Sequence, residues 1–119
     1  PYSAAGSQEL LAAIGEGYAH GITITAPGFY APQGRQLRAK SRISPSVMDG
    51  LRTFRSNNYG ITNLEMETSA IYGLCRLLGH RALSCNVVLA NREDRTFSAN
   101  PKKAVADLIE AILERIVAH

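Results

Sequence analysis

The chain has 119 residues, 45% hydrophobic and 19% charged, with a formal net charge of +3. That balance describes one globular domain with material for a core, and the charge is too small to argue for a nucleic-acid partner. No apolar run approaches the ~20 residues of a membrane span and no signal peptide is visible; Cys75 and Cys85 are too few for a disulfide framework, which points to the reducing cytoplasm.

Taken in order, the chain opens at Pro1-Tyr2-Ser3 without an initiator Met, which reads as an interior cut. Residues 7 to 16 suit a short helix capped by Ser7 and closed by Gly15 and Gly17. His20 to Ala26 is rich in β-branched residues and stops at Pro27-Gly28, so it reads as a strand. Residues 28 to 44 are irregular, with Gly28, Pro32, Gly34 and Pro45 as punctuation, and loops of that length are usually functional or disordered. A helix is expected over 46 to 55, a strand over 61 to 66 and a helix over 68 to 78 stopped by Gly79. The run 82 to 90 (ALSCNVVLA) is nearly continuously apolar, as for a strand buried on both faces of a parallel sheet. The last helix has Asn100 as cap, Pro101 in its first turn and Val105, Leu108, Ile109, Ile112, Leu113 and Ile116 at helical spacing.

The alternation of helices and strands means an α/β architecture with a largely parallel, partial sheet flanked by helices. Three strands alone would leave open edges, so the arrangement looks like part of a larger domain.

Ligands of open α/β sheets bind beyond the carboxyl ends of the strands, and three candidate segments sit there. After the first strand comes GFYAPQGR (28 to 35). Phe29 can stack on a flat base, and Gln33 and Arg35 together can read the polar edge of a heterocycle. After the second comes Glu65-Met66-Glu67. In an extended strand positions i and i+2 share a side, so both carboxylates would face one space, suited to accepting from vicinal sugar hydroxyls. After the third comes Asn91-Arg92. Blander readings exist: Glu67 favoured only by the next helix's dipole, Phe29 as a core plug, Gln33 and Arg35 as loop polars, Arg92 paired with Glu93 or Asp94. Jointly, the three segments make a coherent nucleoside pocket. Six basic residues (Arg35, Arg38, Lys40, Arg42, Arg52, Arg55) fall between 33 and 55. With no aromatic interleaved from 36 to 53 they read as a solvated face. His20, His80 and His119 read as structural or solvent-facing.

GFYAPQGR, NLEMET and VVLANR, in that order, resemble the C-terminal part of the uridine phosphorylases, in the nucleoside phosphorylase superfamily. The resemblance runs from about Tyr2 to the final helix and covers about half, or a little less, of a family protein. It implies a place within that family's three-layer α/β domain, with residues 1 to 119 as the C-terminal part of one domain. By that resemblance Phe29 would contact the base, and Gln33 and Arg35 would hydrogen-bond uracil. Glu65, Met66 and Glu67 would line the ribose site, with Glu67 taking the sugar hydroxyls. Arg92 would stand near the uracil carbonyl, and Asn91-Arg92, where purine-cleaving relatives carry an Asp, favours a pyrimidine. Asp94, close by, leaves a purine or adenosine-type phosphorylase open.

The implied reaction is phosphorolysis of a pyrimidine nucleoside, with no cofactor or metal and with inorganic phosphate as co-substrate. Arg35 and Gln33, with Arg92, would stabilise the departing base. No phosphate-binding Gly-rich loop is present. The resemblance assigns that site to an N-terminal half and a neighbouring subunit, and implies a dimer-based hexamer. The expectation is a fragment inactive alone. A nucleosidase, a non-catalytic nucleoside-binding module and, least favoured, a nucleic-acid binder using 33 to 55 are the competing readings.

Overall fold

The computed structural model describes residues 2–38, 41, 43–91 and 94–119. They form two compact units: residues 1–5 with 18–80, and residues 6–17 with 81–119.

The first unit is built on β1 (Ile22–Thr25) and β3 (Tyr59–Glu65), with β2 (Arg55–Ser56) on the far side of β3 in the order β1-β3-β2. β1 and β3 run parallel, pairing Ile24 with Leu64 and Thr25 with Glu65, while β2 and β3 run antiparallel. The sheet is therefore mixed. The parallel register explains the sequence pattern of β1. Ile22 and Ile24 alternate with Thr23 and Thr25, and the two threonines meet polar partners at the same level of β3. Thr23 Oγ1 donates to Asn63 Oδ1 at 2.7 Å. Asn57 and Asn58, with φ of 48° and 67°, make the two-residue turn into β3. Both angles lie in the left-handed region that hairpin turns of this length require. The helix expected over 46 to 55 is instead α2 (Pro45–Thr53). Ser44 caps it, accepting from Val47 N at 3.3 Å, and Pro45 occupies the first turn, where its missing N–H costs nothing. α3 (Thr68–Leu77) follows the sheet and contacts β1.

The second unit pairs α1 (Gln8–Ile14) with α4 (Pro101–Val117). Ser7 and Asn100 cap them as expected, accepting from Leu10 N at 3.3 Å and Lys103 N at 3.0 Å. Arg115 donates to the Ile14 carbonyl at 2.8 Å and also to that of Glu16, satisfying acceptors left over at the end of α1. The strand expected over 82 to 90 is not formed. A strand exists only with a ladder partner, and among the described residues 82 to 89 have none. Ala82 accepts from Ser7 N at 2.8 Å and Leu89 from Ser98 N at 2.8 Å, one bond near each end of the run. Only its last residue joins a short hairpin, β4 (Ala90–Asn91) with β5 (Thr96–Phe97).

Among the described residues the buried apolar side chains are Ile14 and Ala26. The expected core is thin for a physical reason visible in α4. Its spacing is amphipathic, yet Val105, Ile109, Leu113 and Ile116 stay exposed. Beside them Leu89, Pro101, Ala106 and the stem of Lys102 line a shallow groove of about 380 Å³. No helix among the described residues is long and apolar enough to cross a membrane.

Candidate functional site

The carboxyl ends of β1 and β3 lie side by side because the two strands are parallel neighbours. The ladder runs one residue past β1: Ala26 N donates to the Glu65 carbonyl at 2.8 Å. The chain then leaves each strand into one of the segments picked out from the sequence.

After β1 the loop closes on itself. Gly28 sits at φ +131°, where a Cβ would stand 2.7 Å from Pro32 Cγ, so a side chain here would meet both strain and a clash. Ala31–Gln33 form one 3-10 turn, ended by Gly34 at φ 76° in the left-handed region. The turn's amides converge: Gln33 N and Arg35 N both donate to the Tyr30 carbonyl, at 3.1 and 2.9 Å. Arg35 is thereby carried back over Phe29, its guanidinium carbon 3.7 Å from the ring centroid. The same guanidinium donates to the Phe29 carbonyl and, at 3.1 Å, to Gln33 Oε1. Gln33 is buried at 6% exposure, whereas the Phe29 ring is 54% exposed and meets Tyr30 edge-on at 5.1 Å. The loop thus presents a half-exposed aromatic ring with a donor fork stacked on it and an amide beside that fork. A planar, polar-edged ligand fits that combination.

After β3 the geometry departs from simple strand alternation. The strand ends at Glu65, and Glu67 is already the N-cap residue of α3, with φ −140° and ψ −20°. Glu65 turns back on the helix instead of facing outward. Its Oε2 accepts from Glu67 N and from Thr68 N, each at 2.6 Å, and its Oε1 accepts from the Thr25 hydroxyl. The first amides of a helix need acceptors, and the carboxylate two residues upstream supplies one. Partial burial pushes the Glu65 carboxyl up, but the hydrogen bonds from Thr25, Glu67 and Thr68 outweigh it and hold the group below its ordinary value. Met66 and Glu67 are exposed at the turn. The two carboxylates therefore have different jobs: one is spent on the backbone and the other is presented to solvent.

The structure brings Phe29, Gln33 and Arg35 into one cluster, and sets Glu65, Met66 and Glu67 at the end of the adjacent strand. Arg92 and Glu93 lie outside the described residues. Asn91 and Asp94 are described, and Asn91 Nδ2 donates to Asp94 Oδ2 at 2.7 Å. Sequence reasoning missed Thr25. The signal was a threonine at the last position of β1, but only the register shows that it faces Glu65.

Comparison with known proteins adds to this geometry. A sequence model described as the phosphorylase superfamily matches residues 1–118. The chain belongs to the phosphorylase superfamily. This phosphorylase-superfamily chain is 34% identical over 109 residues to a uridine phosphorylase of Thermococcus kodakarensis, covering 87% of this chain and 37% of the relative. It is 40% identical over 73 residues to inactive uridine phosphorylase B of Schistosoma mansoni, covering 60% of this chain and 24% of that protein. Among solved structures it resembles a Trypanosoma brucei nucleoside phosphorylase, described as showing uridine phosphorylase activity. The TM-score is 0.71 at 32% identity, over 97% of this chain and 37% of the other. The α/β fold expected from the sequence is thus the fold found, and the chain is uridine phosphorylase-like. It spans 37% of the length of the Thermococcus and Trypanosoma proteins.

Proposed function

We propose that this chain is the C-terminal part of a nucleoside phosphorylase domain that converts uridine, or a related pyrimidine nucleoside, and inorganic phosphate into the free base and ribose 1-phosphate. The observation that carries the reading is the Arg35 guanidinium stacked on Phe29 beside buried Gln33, on the loop next to the strand that ends at Glu65 and leads into Met66 and Glu67. The uridine phosphorylase relatives support it.

In this reading the uracil ring lies against the Phe29 face. Arg35 and Gln33 donate to the ring edge where negative charge gathers as the glycosidic bond breaks. A phosphate oxygen forms the new bond to the anomeric carbon, the bonding pair of the old one leaves with uracil, and the base then takes up a proton. Glu67 accepts from the ribose hydroxyls and Met66 packs on the sugar, aligning the attacking and departing groups. The phosphate ligands come from the rest of the protein, in a cytoplasmic homo-oligomer. No metal or cofactor takes part.

The test is uracil release from uridine by the full-length protein, with and without phosphate. Phosphate-dependent release is expected. Glu67→Gln should cut turnover far more than it lowers the melting temperature, and Arg35→Ala should harm uridine more than adenosine. If both variants match the parent, the pocket is wrongly assigned.

The likeness to an inactive uridine phosphorylase of Schistosoma mansoni favours a second reading, a protein that binds nucleosides without cleaving them. Calorimetric binding of uridine that ignores phosphate, with no product, would select it.

A further inference from the structure

Resting on the reading above, we infer that Thr25 and Glu65 are a positioning pair that sets the turn from which Met66 and Glu67 meet the sugar. Thr25 stands at the last position of β1, in register with Glu65 across the parallel ladder. Its hydroxyl works in two directions. The proton goes to Glu65 Oε1, while a lone pair accepts from Ser69 N at 2.9 Å. The other oxygen of Glu65 holds the amides of Glu67 and Thr68, at 2.6 Å each. Three successive amides, of residues 67, 68 and 69, are therefore held by two side chains, one from each strand. Thr68 is itself buried, at 7% exposure.

The arrangement fixes the backbone of Glu67 at φ −140° and ψ −20°. An exposed residue beyond a strand end has no ladder of its own to hold it there. Glu67 is useful to the reaction only if its carboxylate returns to one place, because small displacements of a positioning group are costly to rate. The pair acts through Glu67 and need not touch the substrate. Threonine is suited to the task, since only a hydroxyl donates and accepts at one atom. Valine keeps the shape and removes both bonds.

The experiment is a double-mutant cycle on the full-length protein with uridine and phosphate, comparing Thr25→Val, Glu67→Gln and the double variant. Thr25→Val is expected to lower kcat/KM about tenfold to a hundredfold, mostly in kcat, and Thr25→Ser to restore most of it. The double variant should lose no more than Glu67→Gln alone. Hydrogen exchange at the amides of 67 to 69 should speed up in Thr25→Val. Additive losses in the cycle, or wild-type turnover by Thr25→Val, would overturn the pair's role while leaving the phosphorylase reading intact. A parent that neither binds nor cleaves nucleosides would overturn that reading and take this inference with it. Should Thr25→Val fail to fold, Glu65→Gln, which cannot satisfy all three donors, replaces it with the same expected non-additivity.

Discussion

The loop after β1 and the turn after β3 sit at neighbouring strand ends but are held in opposite ways. The contacts that shape residues 28 to 35 are mostly short-range: the 3-10 turn, the Tyr30 carbonyl and the Arg35–Phe29 stack, joined by the Ser41 hydroxyl, which donates to the Ala31 carbonyl at 3.4 Å. The turn at 65 to 69 depends on Thr25, forty residues earlier in the chain. The lesson is that a base-reading face can be encoded locally, whereas a sugar-holding carboxylate here needs the sheet in place first.

That contrast can be broken at its strongest point with Glu65→Ala. Two backbone amides and the Thr25 hydroxyl lose their acceptor, and stability should fall by about 1–3 kcal/mol. Denaturant midpoints would show it, and a change of only a few tenths would mean that the turn is held by something else. Gly28→Ala attacks the other region, placing a methyl against Pro32 at a φ that side chains avoid. A cost of about 1–2 kcal/mol is expected. Amide exchange at Thr68 and Ser69 should stay unchanged, because the two regions are held separately.

Acid sharpens the same comparison. The folded Glu65 pKa lies below its ordinary value of 4.5, so its contribution is present above that value and lost as pH falls through the lower, folded one. Stability should therefore rise with pH across that window. The slope should be shallow, because the carboxyl is largely solvated, and Glu65→Gln should flatten it further. Smallest of all, Arg35→Ala should cost roughly 0.5–1 kcal/mol of stability, as for an exposed cation–π pair. If it costs much more, the guanidinium is a structural brace and its assignment to the base is weakened.

Legibility in the sequence followed contact range. The caps at Ser7 and Asn100, the Pro101 start and the β-branched run of β1 are local signals, and they produced the expected elements. Pro45 was read as loop punctuation although it opens α2, because a proline in a first turn looks the same as one in a loop until Ser44 is seen to cap. Asn57-Asn58 was a hairpin signal in plain view, overlooked because β2 is only two residues long. The apolar run 82 to 90 misled more deeply. Apolarity shows that a segment can be buried, but not which backbone will pair with it.

What the sequence determined by itself is the inventory: an α/β chain of the phosphorylase superfamily, with an aromatic, an amide and a guanidinium on one loop and two carboxylates after a strand. Those follow from residue chemistry and from spacings of a few residues. Only the tertiary structure decided that the two carboxylates differ. Parallel pairing of β1 with β3 puts Thr25 opposite Glu65, the amides of α3 claim that carboxylate, and Glu67 is left facing solvent. Register between distant strands is set by the whole sheet, and no local pattern states it.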